Sequence, residues 1–220
     1  GIHTQAVTSA VRQIPPEWAG LSRMQVVVSI DGLPAEHDVR RTPATYERIL
    51  KHIAGHQITV HCTVTRQQAA REGYIESFLR FWQDNADTRM IWVSLYTPQV
   101  GEISDERLRP EDRARVLAEL ARVRPLFPKF QISDGALQAY ANPPSSPASC
   151  TFARTTDCFT ADLERRISPC QFGGNPDCSS CGCMASASLK AVSSHKLPGG
   201  IPVGLIYGAS VRQGAAEVTL

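Results

Sequence analysis

Six of the chain's seven cysteines fall between Cys150 and Cys183. Four of them, Cys170, Cys178, Cys181 and Cys183, share one short stretch with Gly173, Gly174, Pro176 and Gly182. Glycine lets a backbone turn tightly around a small object, and thiolate sulfur is the preferred ligand of soft metals and iron–sulfur clusters. Cys178 and Cys181 form a C-x2-C pair, a chelate that zinc and iron clusters both use. Disulfides would need an oxidising compartment, and the first residues carry no secretory-signal pattern. Two metal readings stay open on spacing alone: an iron–sulfur cluster, or a structural zinc site in a non-catalytic interaction module. Cys150 stands ready to replace one of the four. Cys158 sits in a polar stretch without glycine neighbours and reads as a spare thiol. Cys62 alternates with isoleucine and valines and reads as core.

Length and composition frame that loop. A chain of 220 residues accommodates one domain with a substantial core, or one domain with a small appendage. Hydrophobic content of 42% and charged content of 20% describe an ordinary globular protein. The net charge of +2 and the lack of a basic run with interleaved aromatics give no sign of a nucleic-acid partner. No apolar run approaches the roughly 20 residues of a membrane span, so a cytoplasmic protein without a membrane partner is expected.

The elements expected to position the site follow in order. Residues 1–12 read as a partial helix, broken by Pro15-Pro16. Met24 to Ile30 is a nearly continuous β-branched run, the pattern of a strand buried on both faces, and it ends at Asp31-Gly32. Thr42-Pro43 reads as an N-cap and first helical residue, with Tyr46, Ile49, Leu50 and Ile53 as the stripe. Gln57 to Thr65 alternates strictly: Ile58, Val60, Cys62 and Val64 face one way, and Thr59, His61, Thr63 and Thr65 the other. That suits a strand with a wet face, or one lining a barrel with a polar ligand. A helix over 73–85, a strand over 89–96 and a helix over 110–124 complete an α/β pattern with a parallel sheet. Ligands in such folds bind at the carboxyl ends of the strands. From 131 the chain reads as irregular, apart from a short helix over 184–192 and a strand over 201–209. The expected division is 1–128 and 129–220.

Ser29-Ile30-Asp31-Gly32, followed by His37-Asp38 and Arg40-Arg41, resembles the fourth barrel strand of radical SAM enzymes. With the Thr63-Val64-Thr65 strand end and the cysteine-rich tail, the chain is most similar to the members that carry C-terminal auxiliary clusters, the SPASM and twitch types. The resemblance covers roughly 24–96 as barrel and 150–183 as cluster tail. It implies the C-terminal half of a partial (β/α) barrel followed by an irregular cysteine-rich extension. It also implies that Ser29 and Arg41, twelve positions on, hold S-adenosyl-L-methionine, with Thr65 a further candidate for that pocket. A guanidinium matches a carboxylate through paired donors. Asp31 is expected to shape its turn, and His37 to cap or hydrogen-bond the loop.

The family's Cys-x3-Cys-x2-Cys, which holds the SAM-reducing 4Fe-4S cluster, occurs nowhere in this sequence. The chain is therefore expected to be a C-terminal fragment, inactive alone, with an unpaired and aggregation-prone edge at the 24–30 strand. In the intact oxidoreductase, the resemblance implies reductive SAM cleavage and hydrogen abstraction from a metabolite or peptide. It also implies an electron donor such as flavodoxin or ferredoxin, and an auxiliary 4Fe-4S cluster on Cys170, Cys178, Cys181 and Cys183 or with Cys150 among them.

Overall fold

A computed structural model describes residues 1–206. They form two compact units: 1–94 with 108–132, and 95–107 with 133–206. Residues 95–107 thus group with the cysteine-bearing region.

The first unit opens on a strand, β1 (Thr4–Thr8), where a partial helix was expected. Thr4, Val7 and Thr8 are β-branched, and β1 lies parallel to β2 (Met24–Ser29) in a register running from Thr4↔Met24 to Thr8↔Val28. The edge expected to be bare at 24–30 is therefore paired, and β1 itself is the sheet edge. The chain continues through α1 (Pro34–Arg41), α2 (Tyr46–Ile53), β3 (Ile58–Val64), α3 (Arg66–Ala69), α4 (Tyr74–Asp84), β4 (Thr88–Leu95) and α5 (Pro110–Val123). The sheet order is β1-β2-β3-β4, and β2 runs parallel to β3 with Ser29 opposite His61. Beyond β4, Phe130 makes a parallel bridge to Ile91.

One face of this sheet is apolar. Val26, Val28, Ile58, Val60, Cys62, Val64, Ile91 and Val93 are buried, as are the helix stripes Ile49 and Ile53, Phe78, Leu79 and Trp82, and Val116, Leu120 and Val123. Each such side chain contributes about 1.5–3 kcal/mol relative to exposure. Alternation directs the next residues to the opposite face. There a polar row crosses three strands: the Gln5 carboxamide donates to Gln25 (3.0 Å), and Gln25 donates to the Thr59 hydroxyl (2.9 Å). On the polar face of β3, Thr59 is only 1% exposed, so the strand does not present that residue to solvent.

Helix α1 was not expected at all. Its sequence, PAEHDVRR, buries only His37 and so carries no apolar stripe, although Pro34 stands at the favoured first position. The cap of α2 is Thr45, which accepts from the Arg48 amide, and not Thr42.

In the second unit, α6 (Asp134–Ala141), α7 (Thr151–Thr155), β5 (Cys158–Phe159) and β6 (Arg166–Ile167) replace the expected irregular run, and α8 (Met184–Ser194) stands where a short helix over 184–192 was expected. Helices α6 and α7 both pack on α8. A Cβ at Gly135 would stand 3.0 Å from the Ala191 Cβ, so the small residue permits the close helix approach. β5 and β6 pair antiparallel. The strand expected over 201–209 is absent as far as 206: Pro202 makes a single bridge to Lys196, and 203–206 are helical. Residues 207–209 lie outside the described residues.

Candidate functional site

Two groups of residues in separate units carry chemistry. The first is the loop after β2. Five of its backbone polar groups have partners on other elements. The Ile30 amide donates to the His61 carbonyl (2.9 Å), and the Asp31 amide to His37 Nδ1 (2.9 Å). The Asp31 carbonyl accepts from Gln68 Nε2 (2.9 Å), the Gly32 carbonyl from the Tyr46 hydroxyl, and the Tyr74 hydroxyl accepts from the Leu33 amide (2.8 Å). Gln68 Oε1 also accepts from the Thr65 amide (2.9 Å), so one carboxamide ties the ends of two strands. Gly32 is held at φ +135°, and a Cβ there would lie 2.5 Å from the Tyr74 hydroxyl and 2.8 Å from Gln68 Nε2. The loop is fixed before any ligand arrives.

His37, fully buried, is part of that frame. Its Nε2–H donates to the Ala44 carbonyl (2.8 Å), which leaves Nδ1 unprotonated to accept from Asp31. Burial, opposed by the Ala44 contact and the nearby Asp31, holds its pKa below the usual imidazole value. The ring is therefore neutral and structural.

Arg41 forms a two-pronged ion pair with Asp31, Nε to Oδ2 at 2.6 Å and Nη2 to Oδ1 at 3.1 Å. Asp38 accepts from the Tyr46 amide (2.7 Å). Burial pushes the Asp31 carboxyl up, but the hydrogen bonds and charge of Arg41, helped by Arg40, bring it net below the usual carboxylate range. The Asp31 pair occupies two of the five guanidinium N–H donors and orients the rest. Ser29 is half-buried at the end of β2, its hydroxyl without a partner among the described residues. Thr65 is 5% exposed at the N-cap of α3.

His61 belongs with this group and was not singled out from the sequence, although strand alternation had placed it on the polar face. It shares a 2.8 Å hydrogen bond with the Ser94 hydroxyl. Burial, and then the Asp31 and Arg41 charges, shift its pKa, with the net effect downward.

The second group is the thiols. Cys150, Cys170, Cys178, Cys181 and Cys183 line one cavity, together with Thr97, Gln171 and Ser186 and otherwise apolar residues. Among the described residues no charged side chain lines it. The cavity is narrow, about 20 Å³, within some 380 Å³ of empty space that includes its mouth. Burial, followed by the neighbouring Cys181, Cys150 and Cys170, pushes the Cys178 thiol up. Burial takes Cys183 up to about 12. Among the described residues no three His, Cys, Asp or Glu side chains converge on a point able to hold a single metal ion. The five thiols offer soft sulfur donors, with no carboxylate or imidazole among the described residues that line the cavity, a set of the kind that iron–sulfur clusters and zinc both take.

The backbone around the thiols is strapped to 95–100. The Leu95 amide donates to the Gly182 carbonyl (2.9 Å), the Gly182 amide to the Thr97 hydroxyl (2.8 Å), and the Asp177 amide to the Pro98 carbonyl (2.8 Å). Arg107 Nη2 pairs with Asp177 Oδ2 at 2.6 Å. A Cβ at Gly182 would fall 2.0 Å from the Leu95 carbonyl oxygen, so only glycine fits. Cys158 stands apart on β5, its thiol pushed up by burial and then by the proximity of Cys170. Cys62 is a core thiol, also pushed up by burial.

No family model and no curated protein matches the chain. Among solved structures it is similar to native anSMEcpe with bound AdoMet, at 18% identity and a TM-score of 0.49 over 76% of this chain and 50% of that one. It is also similar to native anSMEcpe with bound AdoMet and Cp18Cys peptide (16% identity, TM-score 0.48, 67% of this chain and 47% of that one). A third is the same enzyme with Kp18Cys peptide (15%, 0.47, 74% and 53%). The enzyme in all three is an anaerobic sulfatase-maturating radical SAM enzyme. The chain spans about half the length of these structures. No helix among the described residues is long and apolar enough to cross a membrane.

Proposed function

We propose that this chain is part of a radical SAM enzyme: a partial (β/α) barrel over roughly 1–128, followed by an extension over 129–220 that carries an auxiliary 4Fe-4S cluster. The observation that carries the reading is the cavity lined, among the described residues, by five thiols and no charged side chain. Thiols spread over 34 residues of sequence, from Cys150 to Cys183, have no packing reason to face one another. Cysteine ligation of a cluster supplies one. Cys170, Cys178, Cys181 and Cys183, or a set of four in which Cys150 replaces one of them, are the proposed ligands.

At the strand ends, Ser29 and Arg41 are the proposed SAM contacts, with Thr65 beside them. Asp31 holds the Arg41 guanidinium in one orientation and leaves further donors to meet a carboxylate or ribose oxygen. The rigid 29–33 loop presents Ser29 without rearrangement. SAM, when bound and reduced, supplies one-electron chemistry on a substrate C–H bond. The Cys-x3-Cys-x2-Cys set that would hold a SAM-reducing cluster does not occur in these 220 residues. A metabolite or peptide substrate and a flavodoxin or ferredoxin donor are part of the proposal.

Anaerobic reconstitution with iron and sulfide tests the reading. A brown protein with iron and acid-labile sulfide in equal amounts, near four of each per chain, supports it. Stoichiometric zinc that iron and sulfide leave in place would establish the zinc module instead.

A further inference from the structure

Two thiols of the cavity differ from the others in what surrounds them. Cys183 is 6% exposed, yet two N–H groups aim at its sulfur: Gln171 Nε2 at 3.1 Å and the Ser186 amide at 3.4 Å. Cys150 is 8% exposed, and its sulfur stands 3.2 Å from the Ser186 hydroxyl. Ser186 therefore joins two sulfurs that lie 33 positions apart, one through its backbone and one through its side chain. Cys183 is also the N-cap of α8, an 11-residue helix whose amide end favours negative charge. A neutral thiol is a weak acceptor, so converging donors gain little from it. A metal-bound thiolate is a strong one.

We propose that Cys150 and Cys183 are both ligands of the cluster, and that Gln171 and Ser186 raise its reduction potential by hydrogen bonding to their sulfurs. This rests on the cluster reading given above. The physical cause is charge. One-electron reduction adds negative charge that spreads onto the ligating sulfurs, and a donor at the sulfur stabilises the reduced state more than the oxidised one. Hydrogen bonds to the sulfurs are among the features that set cluster potentials over their wide range. Gln171 is exposed and replaceable without disturbing the core. Ser186→Ala removes only the bond to Cys150, because the amide that serves Cys183 remains.

The test is the midpoint potential of the reconstituted chain, read by anaerobic redox titration with iron content measured on the same samples. Gln171→Leu is expected to lower the midpoint at unchanged iron. Gln171→Glu, which puts an acceptor where the donor stood, is expected to lower it further. A merely structural role for Gln171 predicts no such order. Ser186→Ala is expected to lower the midpoint because Cys150 is a ligand. An unmoved midpoint in both Gln171 variants with full iron overturns the tuning role, and an unmoved midpoint in Ser186→Ala overturns the assignment of Cys150. If wild type takes up no iron and sulfide, the cluster reading itself fails, and this inference falls with it. The two failures are told apart by the wild-type sample alone.

Discussion

Replacing His37 by phenylalanine isolates the hydrogen bonds that fix the strand-end loop. Phenylalanine keeps an aromatic ring of similar size, and with it the edge-on contact to Tyr46, whose ring centroid lies 5.1 Å away at 83°. What is lost is the acceptor for the Asp31 amide and the donor for the Ala44 carbonyl. A buried polar group left without a partner costs about 1–3 kcal/mol, so two cost about 2–6 kcal/mol. That is a large part of the roughly 5–15 kcal/mol that holds a domain folded. The variant also predicts a change in pH dependence. His37 has a folded pKa below its unfolded value near 6.5. Its contribution to stability is therefore fully present above about pH 6.5 and is lost as pH falls through the folded value, where Nδ1 takes a proton and can no longer accept from Asp31. As pH falls below about 6.5, wild type should lose stability more steeply than His37→Phe. The remaining slope includes His61, whose pKa is lowered in the same direction. Urea unfolding followed by circular dichroism, at a series of pH values, reads both effects. A loss under about 1 kcal/mol at neutral pH, or identical pH slopes, refutes the reasoning.

Two further perturbations act on the same frame and on the thiol region. Asp31→Asn removes a carboxylate whose pKa is held below the usual range. The stability it gives is present above about pH 4 and lost as pH falls through its folded value, so the variant should be less stable at neutral pH and closer to wild type in acid. The pair is partly buried, with the Asp31 side chain 17% and the Arg41 side chain 35% exposed, which places the neutral-pH loss at about 1–3 kcal/mol. Equal losses at pH 7 and pH 3 would contradict this. Gly182→Ala forces a Cβ to 2.0 Å from a backbone oxygen that cannot step aside. It should cost about 3 kcal/mol or more and reduce iron uptake on reconstitution, because the 175–182 segment parts from 95–100. Wild-type stability and wild-type iron content together would remove Gly182 from the account.

The sequence was most legible where period and punctuation agreed. The stripe Tyr74, Phe78, Leu79 and Trp82 gave α4 to within a residue at each end, and Pro110 marked the start of α5. It was least legible where local signals were weak. β1 is five residues long and half polar, and only its register against β2 makes it a strand. α1 shows no stripe because His37 alone is buried. α6 begins Asp-Gly, which reads as a turn, yet Gly135 is there to let α8 approach. The clustering of thiols was visible in the spacing. The Ser186 link between Cys150 and Cys183 was not, because it arises from the docking of α7 on α8. Arg41 was visible as a candidate, but its ion pair was not, because it forms only when the helix carries Arg41 back over the strand end to Asp31.

The central claim is that these thiols hold an iron–sulfur cluster. Mössbauer spectroscopy of the chain reconstituted anaerobically with ⁵⁷Fe and sulfide tests it most directly, because it distinguishes cluster iron from mononuclear or adventitious iron in the same sample. The account predicts that nearly all iron appears as a sulfur-ligated 4Fe-4S species, and that this signal disappears in the Cys178→Ser, Cys181→Ser double variant. Iron found only as mononuclear or non-specific species, or an unchanged cluster signal in the double variant, would contradict it.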